Sequence, residues 1–172
     1  MNALAPLAVA RRLSAALYKT NVCPVIVCVG SDRVAGDSLG PLTGSLLLQE
    51  HAACPLYGCM KNTVTAREII PLKEFIAKTH PRAPVIAVDA AVGNREETGL
   101  IKVCSTPLYP GSGAKKQLGS IGDASLLGIV AGREEGFPAL ERVRYSDVYA
   151  MACVLKEALL LVLEQRDRLY AS

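Results

Sequence analysis

The chain has 172 residues, of which 51% are hydrophobic, 5% aromatic and 20% charged, and it carries a formal net charge of +3. This length and apolar content suffice for one domain with a two- or three-layer core and exclude intrinsic disorder, while the small charge without a block of Lys and Arg argues against a nucleic-acid interface. The uninterrupted apolar runs, such as Ala158 to Leu163, are far shorter than the roughly 20 residues that a membrane-spanning helix needs, so no transmembrane segment is predicted.

The first predicted element is an amphipathic helix from Ala5 to Lys19, within the leading residues 1–20. Its apolar residues recur at helical spacing, and they are Leu7, Ala10, Leu13, Ala16 and Leu17. Arg11 and Arg12 lie in the middle of this segment, which is the wrong place for the charges of a secretory signal peptide. We therefore expect a cytoplasmic protein that folds as a single domain from residue 1 to residue 172.

Two continuous apolar runs rich in β-branched residues, Val25–Val29 and Val85–Val88, are typical of strands that are covered on both faces of a parallel sheet. Between them the pattern predicts a helix, a loop or edge strand, and a second helix, at Ser38–His51, Tyr57–Thr65 and Pro71–Thr79. Two further strands are predicted at Leu100–Ser105 and Ser125–Val130. Because strands and helices alternate, the sequence predicts a three-layer α/β/α domain with a mostly parallel central sheet.

The last predicted element is a long helix from Ser146 to about Arg168, within residues 146–169, with Ser146 as its N-terminal cap. Its apolar stripe is widened by Leu160 and Leu161. A helix that is apolar beyond one face either packs in the centre of a layer or is shared with a partner subunit. A homo-oligomer is therefore one of the two arrangements that the sequence predicts.

The spacing of cysteine and histidine does not favour a metal site. The chain has six cysteines, and the closest pairs each have four intervening residues: Cys23/Cys28 and Cys54/Cys59. The two histidines, His51 and His80, fall at predicted helix ends, where a solvated imidazole is common. These spacings differ from those of zinc sites. We expect reduced cysteines, no bound metal and no cofactor.

Each of the two central strands leads to an aspartate. Asp89 directly follows the second strand, and Asp37 follows the first through a short loop that contains Gly30 and Gly36. In open α/β sheets, ligands bind at the carboxyl ends of the strands, where the loops diverge. The sequence therefore predicts that the two carboxyl groups face one cleft, with their nearest oxygens about 3 to 6 Å apart.

Asp37 has two interpretations, which are compatible with each other. The segment from Gly36 to Pro41 is typical of a helix start, with Asp37 as the cap. A carboxylate that accepts backbone N–H bonds there is held ionised, whereas Asp89 at a buried strand end is pushed toward its protonated form. Because two carboxyls in opposed environments suit acid/base chemistry, we assign a catalytic role to both aspartates.

A third candidate site lies in the segment 106–130. Its residues Gly111, Ser112 and Gly113 permit a tight backbone with exposed N–H groups. We assign these three residues, together with Gly36 in the Asp37 loop, as candidate substrate-binding residues. The alternative is an ordinary surface loop, since Pro-Gly and Ser-Gly are common turn signals. The segment has no Gly-Lys-Ser/Thr ending, so it is not a Walker phosphate loop.

Three motifs in this order resemble the YyaC-type sporulation protein family, which is related to the germination (spore) endopeptidase and more distantly to hydrogenase-maturation endopeptidases. They are "VGSDRVAGDSLGPLTG", "VIAVDAAVG" and "PLYPGSGAKKQLGSIGDASLLGIV". The resemblance covers roughly Val25 to Ala152. It implies a phosphorylase/hydrolase-like fold, and it places the two aspartates of an atypical aspartic endopeptidase at Asp37 and Asp89. The hydrogenase-maturation relatives add a histidine that helps to bind nickel, but no histidine follows His80 here.

The resemblance implies an endopeptidase of sporulation or germination, acting on a peptide or protein substrate such as a spore protein, in the spore or forespore interior. The chain is shorter than the spore endopeptidase and has no evident propeptide. Two alternatives stay open. One is a non-catalytic spore protein that binds a peptide or partner in the same cleft, and the other is a metal-assisted processing peptidase.

Overall fold

The computed structural model of the protein describes residues 4–17, 22–110, 119–135 and 138–170. Its helices are α1 (Ala5–Ala16), α2 (Leu39–Gln49), α3 (Ile69–Thr79), α4 (Ala139–Arg142) and α5 (Tyr145–Tyr170). Its strands are β1 (Val25–Cys28), β2 (Leu56–Tyr57), β3 (Val85–Gly93), β4 (Ile101–Cys104) and β5 (Ala124–Gly132). Short 3₁₀ turns occupy Gly36–Ser38, Arg95–Glu97 and Arg133–Glu135.

The strands form one sheet in the order β2-β1-β3-β5-β4. The first four strands of this order are parallel, and β4 pairs antiparallel with β5. One face of the sheet packs against α1, α2 and α5, in a core that includes Leu13, Leu47 and Leu155. The other face packs against α3 through Ile69 and Ile76. The predicted three-layer α/β/α architecture with a mostly parallel sheet is confirmed.

Strand β3 is longer than the sequence predicts. The apolar pattern indicates an end at Val88, yet the strand continues through Asp89 to Gly93. Its extra residues are held by β5, which pairs with β3 as far as Gly93. Asn94 then begins the following 3₁₀ turn, and its side chain and that of Glu97 form a capping box. The predicted turn at Gly93 and Asn94 therefore comes after a longer strand, because pairing with β5 compensates for the less apolar sequence.

The two terminal helices also differ from their predicted bounds. Helix α1 ends at Ala16, and Lys19 lies outside the described residues. Helix α5 begins at Tyr145, so Ser146 lies inside the helix, where its Oγ donates to Asp147 Oδ1 at 3.4 Å. The predicted Ser146 cap is wrong, because the preceding turn, which follows the unpredicted helix α4, already starts α5 one residue earlier.

The broad apolar stripe of α5 has an explanation within the chain. Leu160 and Leu161 are half-buried and pack against the core that α5 shares with α1 and α2. Homo-oligomerisation stays a prediction. Within the described ranges, no helix has both the length and the apolarity needed to cross a membrane.

Helix α2 approaches the sheet unusually closely through two glycines one helical turn apart. A Cβ built on Gly40 would lie 2.0 Å from the carbonyl oxygen of Val29, and one on Gly44 would lie 2.0 Å from the carbonyl oxygen of Gly58. Real Cβ atoms do not approach backbone oxygens this closely, so only glycine permits the contact. The close approach fixes the start of α2 directly above the carboxyl end of β1.

We expect Gly40→Ala to destabilise the protein by about 1 to 3 kcal/mol, because the added methyl group forces the helix away from a backbone carbonyl that cannot move alone. The free energy of unfolding in urea measures this effect. Leu48→Ala is the control on the same helix, since Leu48 is 53% exposed and its truncation should change the free energy by less than about 0.5 kcal/mol. Equal effects of the two substitutions would contradict the packing argument.

Candidate functional site

The loop between β1 and α2 folds back onto the end of its own strand. Gly30, at φ +140, donates its N–H to the carbonyl oxygen of Val64 at 2.8 Å, and Ser31 donates its N–H to the carbonyl oxygen of Asp37 at 3.0 Å. A Cβ on Gly30 would lie 2.1 Å from that Asp37 oxygen. The reversal therefore requires glycine at position 30, and it places Asp37 beside the carboxyl end of β1.

Asp37 is not a helix cap. It lies in the middle of the 3₁₀ turn Gly36–Ser38, which runs directly into α2, and neither element has a side-chain cap hydrogen bond. Ser38 occupies the N-cap position of α2, and its Oγ donates to the carbonyl oxygen of Ala35 at 2.7 Å. The capping interpretation of Asp37 is wrong because the 3₁₀ turn shifts the start of α2 by one residue, from Ser38 to Leu39. The carboxylate is left for other interactions.

Asp89 lies in β3 one residue beyond the last β1–β3 pair, Cys28 with Val88. The side chain is 8% exposed, and its Oδ1 accepts the N–H of Ala90 at 2.8 Å. The neighbouring β5 residue is Leu127. Asp89 therefore sits at the carboxyl end of β1, as the sequence predicts, but within a continuing strand and not at a strand end.

Burial raises the pKa of both carboxyl groups. For Asp37 the removal of water raises the pKa to about 6, and the backbone N–H of Ser31 opposes this rise. For Asp89 burial raises the pKa well above its usual value, the charge of Asp37 raises it further, and the N–H of Ala90 opposes the rise. The expectation that Asp37 keeps a low pKa as a cap is wrong, because desolvation outweighs its one backbone hydrogen bond.

The charge of Asp37 contributes to the raised pKa of Asp89, so the two carboxyl groups are near enough to interact; the predicted separation of about 3 to 6 Å between their oxygens stays a prediction. Because like charges in a desolvated site cannot both ionise at little cost, the pair favours the state that holds one proton. Asp89, which is the more buried, holds it more tightly. A pair of this kind offers one proton acceptor and one proton donor at the same place, which is the requirement for general acid/base chemistry.

Of the other predicted site residues, only Gly36 belongs to the described part of the structure, directly before Asp37. Gly36 is buried, and a Cβ there would lie 2.8 Å from the carbonyl oxygen of Leu140. Its observed role is thus close packing against α4. Gly111, Ser112 and Gly113 lie outside the described residues, so their assignment stays a prediction.

The backbone N–H of Ser31 is a feature of the site that sequence reasoning missed. It supports both the carbonyl oxygen and the carboxyl group of Asp37. A backbone donor leaves no mark in the residue type, and the glycine at position 30 is the only signal of a reversal at this point. Ser31 could therefore not be identified as a site residue from the type of its side chain.

The histidine and cysteine side chains described below are not part of the aspartate pair. His80 ends α3 as predicted, and its Nε2 lies 2.8 Å from the hydroxyl of Tyr57. Burial raises the pKa of the Cys28 and Cys54 thiols, which are not in disulfides. Among the residues that the structure describes, no group of three or more His, Cys, Asp or Glu side chains is arranged to hold a metal ion.

A concave surface of about 350 Å³ lies away from the aspartates, between α3 and the amino ends of β3 and β5. Its lining includes Lys73, Arg82 and Asp123. Asp123 Oδ2 accepts the N–H of Val85 at 2.8 Å, which holds the start of β3. Asp123 therefore has a structural role at the amino end of β3, whereas Asp89 lies toward the carboxyl end of the same strand.

Comparison with known proteins identifies the family of this chain. Residues 2–158 match the family described as "Protein of unknown function (DUF1256)". The chain belongs to this family. It is also 40% identical over 153 residues to "Uncharacterized protein YyaC" of Bacillus subtilis (strain 168), covering 87% of this chain and 74% of that protein. The predicted YyaC-type family is thereby confirmed, while its relation to endopeptidases stays a prediction. No solved structure matches the chain.

The raised pKa of Asp89 leads to a prediction on stability. A carboxyl whose pKa is higher in the folded state than its unfolded value of about 3.9 makes the folded state bind a proton more tightly, so stability falls as pH rises from about 4 toward the folded pKa. Asp89→Asn removes this penalty and keeps an acceptor for the N–H of Ala90. We expect its melting temperature to exceed the parent's by about 2 to 6 °C at pH 7 and by less than about 1 °C at pH 4.

Thermal melts of the two proteins between pH 4 and pH 7 measure the effect. Asp32→Asn is the matched control, because Asp32 is an exposed acid in the same loop as Asp37 and the same exchange of Asp for Asn is made there without burial. A difference in melting temperature that stays constant across this pH range would contradict the burial of a carboxyl with a raised pKa.

Proposed function

We propose that the protein is an atypical aspartic endopeptidase, in which Asp37 and Asp89 activate water for peptide hydrolysis. The observation that carries the proposal is the electrostatic pairing of the two carboxyls. They come from separate segments, meet where β1 ends, and the charge of one raises the pKa of the other. Structural aspartates commonly cap helices or accept several N–H bonds, whereas Asp37 makes no cap bond.

The two environments assign the chemical roles. Asp37, with a pKa of about 6, is the base: it takes a proton from water as the water oxygen bonds to the peptide carbonyl carbon. Asp89, which holds its proton more tightly, donates it to the carbonyl oxygen. When the tetrahedral intermediate breaks its C–N bond, Asp37 gives its proton to the leaving amine and Asp89 recovers one from the hydroxyl that becomes the new carboxyl group.

The biological setting comes from the resemblance of the motifs. The segments that carry Asp37 and Asp89 resemble those of the germination endopeptidases, so we propose a spore protein as the substrate and the spore or forespore interior as the place of action. The family match over residues 2–158 includes both segments.

Substitution of either aspartate tests the catalytic role. We expect Asp37→Asn and Asp89→Asn each to reduce hydrolysis of acetylated random-sequence octapeptides and of spore proteins by at least about a thousandfold, and the double variant to be little worse, because residues that act as one unit are not additive. Mass spectrometry of the products measures cleavage. Asp32→Asn should retain the parent's activity, and cleavage by both single variants at the parent's rate would refute the mechanism.

The rate should also depend on pH in a defined way. Because the base must be ionised and the acid protonated, kcat/KM should rise through the pKa of Asp37, about 6, and fall when Asp89 loses its proton at higher pH. A pH profile of peptide cleavage measures both limbs. A rate that is independent of pH between about 5 and 8 would show that the pair does not exchange protons with the substrate.

A further inference from the structure

Strands β1 and β3 end at different levels on the carboxyl side of the sheet. β1 ends at Cys28, and the hydrogen bond from the N–H of Val29 to the carbonyl oxygen of Val88, at 2.7 Å, is the last one that joins this segment to β3. β3 continues to Gly93 and is paired there with β5 on its other side. Within the described ranges, no strand lies beside residues 90–92 on the side of β1.

The backbone groups on this side follow from the alternation of a parallel strand. The pairing of β3 with β5 shifts register between Ala91 and Val92, but the side chains of Val88, Ala90 and Val92 pack in the same core, so the alternation of β3 continues through this point. Since the carbonyl oxygen of Val88 faces β1, the N–H and C=O groups of Ala90 and Val92 face the same way. The N–H of Ala90 donates to Asp89 Oδ1. In the described part of the chain, nothing bonds to the C=O of Ala90, or to the N–H and C=O of Val92, on this side.

The edge is held firmly and is accessible. Ala90 and Val92 pack their side chains against the core that contains α2 and α5, and β5 fixes the opposite side of the strand. Residues 90–92 are only half-buried. Ala90 and Ala91 are also small, which lets another backbone come close. A rigid strand edge with unpaired donors and acceptors is a template for one more strand.

We propose that an extended peptide segment of the substrate pairs with the edge of β3 at residues 90–92 and is thereby aligned with the aspartate pair. The cleavage step rests on the proposed endopeptidase function, whereas the pairing rests on the strand edge alone. Asp89 is the residue immediately before this edge, so a backbone paired with Ala90 passes beside both carboxyls. Main-chain pairing is a common mode of peptide recognition, and it selects extended, unfolded segments more than particular side chains.

Amide hydrogen exchange tests the pairing without any need for hydrolysis. The probe is a pool of acetylated, amidated octapeptides with random residues at every position, added at millimolar total concentration to Asp89→Asn. We expect exchange at the N–H of Val92 to slow by about tenfold or more, because a new hydrogen bond must open first. The N–H of Ala91, which faces β5, serves as the internal control and should not change. Unchanged exchange at Val92 would overturn the proposal.

Methylation of the peptide backbone gives a second test on the unmodified protein. One peptide from the pool that protects Val92 is resynthesised with a single N-methyl group at each position in turn. Pairing along a strand predicts that affinity, measured by fluorescence anisotropy, falls by about three- to tenfold at alternate positions only, since alternate N–H groups face the protein. Equal losses at adjacent positions, or none, would contradict strand pairing.

A substitution on the protein side completes the test. Val92→Pro removes the one N–H that the edge offers at this residue and leaves the bonds of Ala91 and Gly93 to β5, while Val92→Ala keeps the N–H and shortens the side chain. We expect only the proline variant to lose affinity for the peptide, by about three- to tenfold. If it does not fold, the methylated peptides on the parent protein decide. Protection of the Val92 N–H without peptide cleavage by the parent protein would refute the endopeptidase function and support the strand pairing. Peptide cleavage without protection of Val92 would support the endopeptidase function and refute the strand pairing.

Discussion

The site depends on the difference in length between two paired strands, β1 and β3. β1 stops at Cys28 while β3 runs on to Gly93, supported by β5. The loop that follows β1 reverses at Gly30 and places Asp37 beside the carboxyl end of β1. Burial raises the pKa of Asp89, and the charge of Asp37 raises it further. The electrostatics of the pair thus follow directly from the unequal lengths of two strands.

Close packing of backbone on backbone holds this arrangement in place. Gly40 and Gly44 let α2 lie against carbonyl groups of Val29 and Gly58, and Gly30 lets the loop turn against Asp37. Each contact excludes a Cβ, so the position of Asp37 relative to β1 has little freedom. Such rigidity offsets the cost of keeping two acids in a desolvated site, and destabilised carboxyls of this kind are frequent where proteins carry out proton transfer.

The three-layer architecture could be predicted from the sequence because its strands and helices have strong local hydrophobic patterns. The β-branched runs at the starts of β1 and β3 predict buried parallel strands, and the two aspartates following them predict the edge where ligands bind. The end of β3 was not recoverable, because residues 89–93 are strand only through their pairing with β5. Pairing between distant segments outweighs local propensity, and single-sequence patterns do not contain it.

The chemical state of Asp37 shows the same limit at the level of one residue. The neighbouring residues in the sequence predict that Asp37 caps a helix and has a low pKa. In the structure, a 3₁₀ turn moves the cap position to Ser38, and desolvation raises the pKa of Asp37 to about 6. A shift of one residue in the start of a helix therefore changes a structural acid into a candidate base. Tertiary geometry decides such cases, because burial and neighbouring charges are set by the whole fold.

The most direct measurement of the central claim is a titration of the two side-chain carboxyl carbons by ¹³C nuclear magnetic resonance, in the parent protein and in Asp37→Asn. We expect Asp89 to titrate well above the usual range for aspartate, and its pKa to fall when the charge of Asp37 is removed, because that charge contributes to the rise. An Asp89 that titrates near its unfolded value of about 3.9, or one whose pKa is the same in both proteins, would contradict the existence of a coupled carboxyl pair.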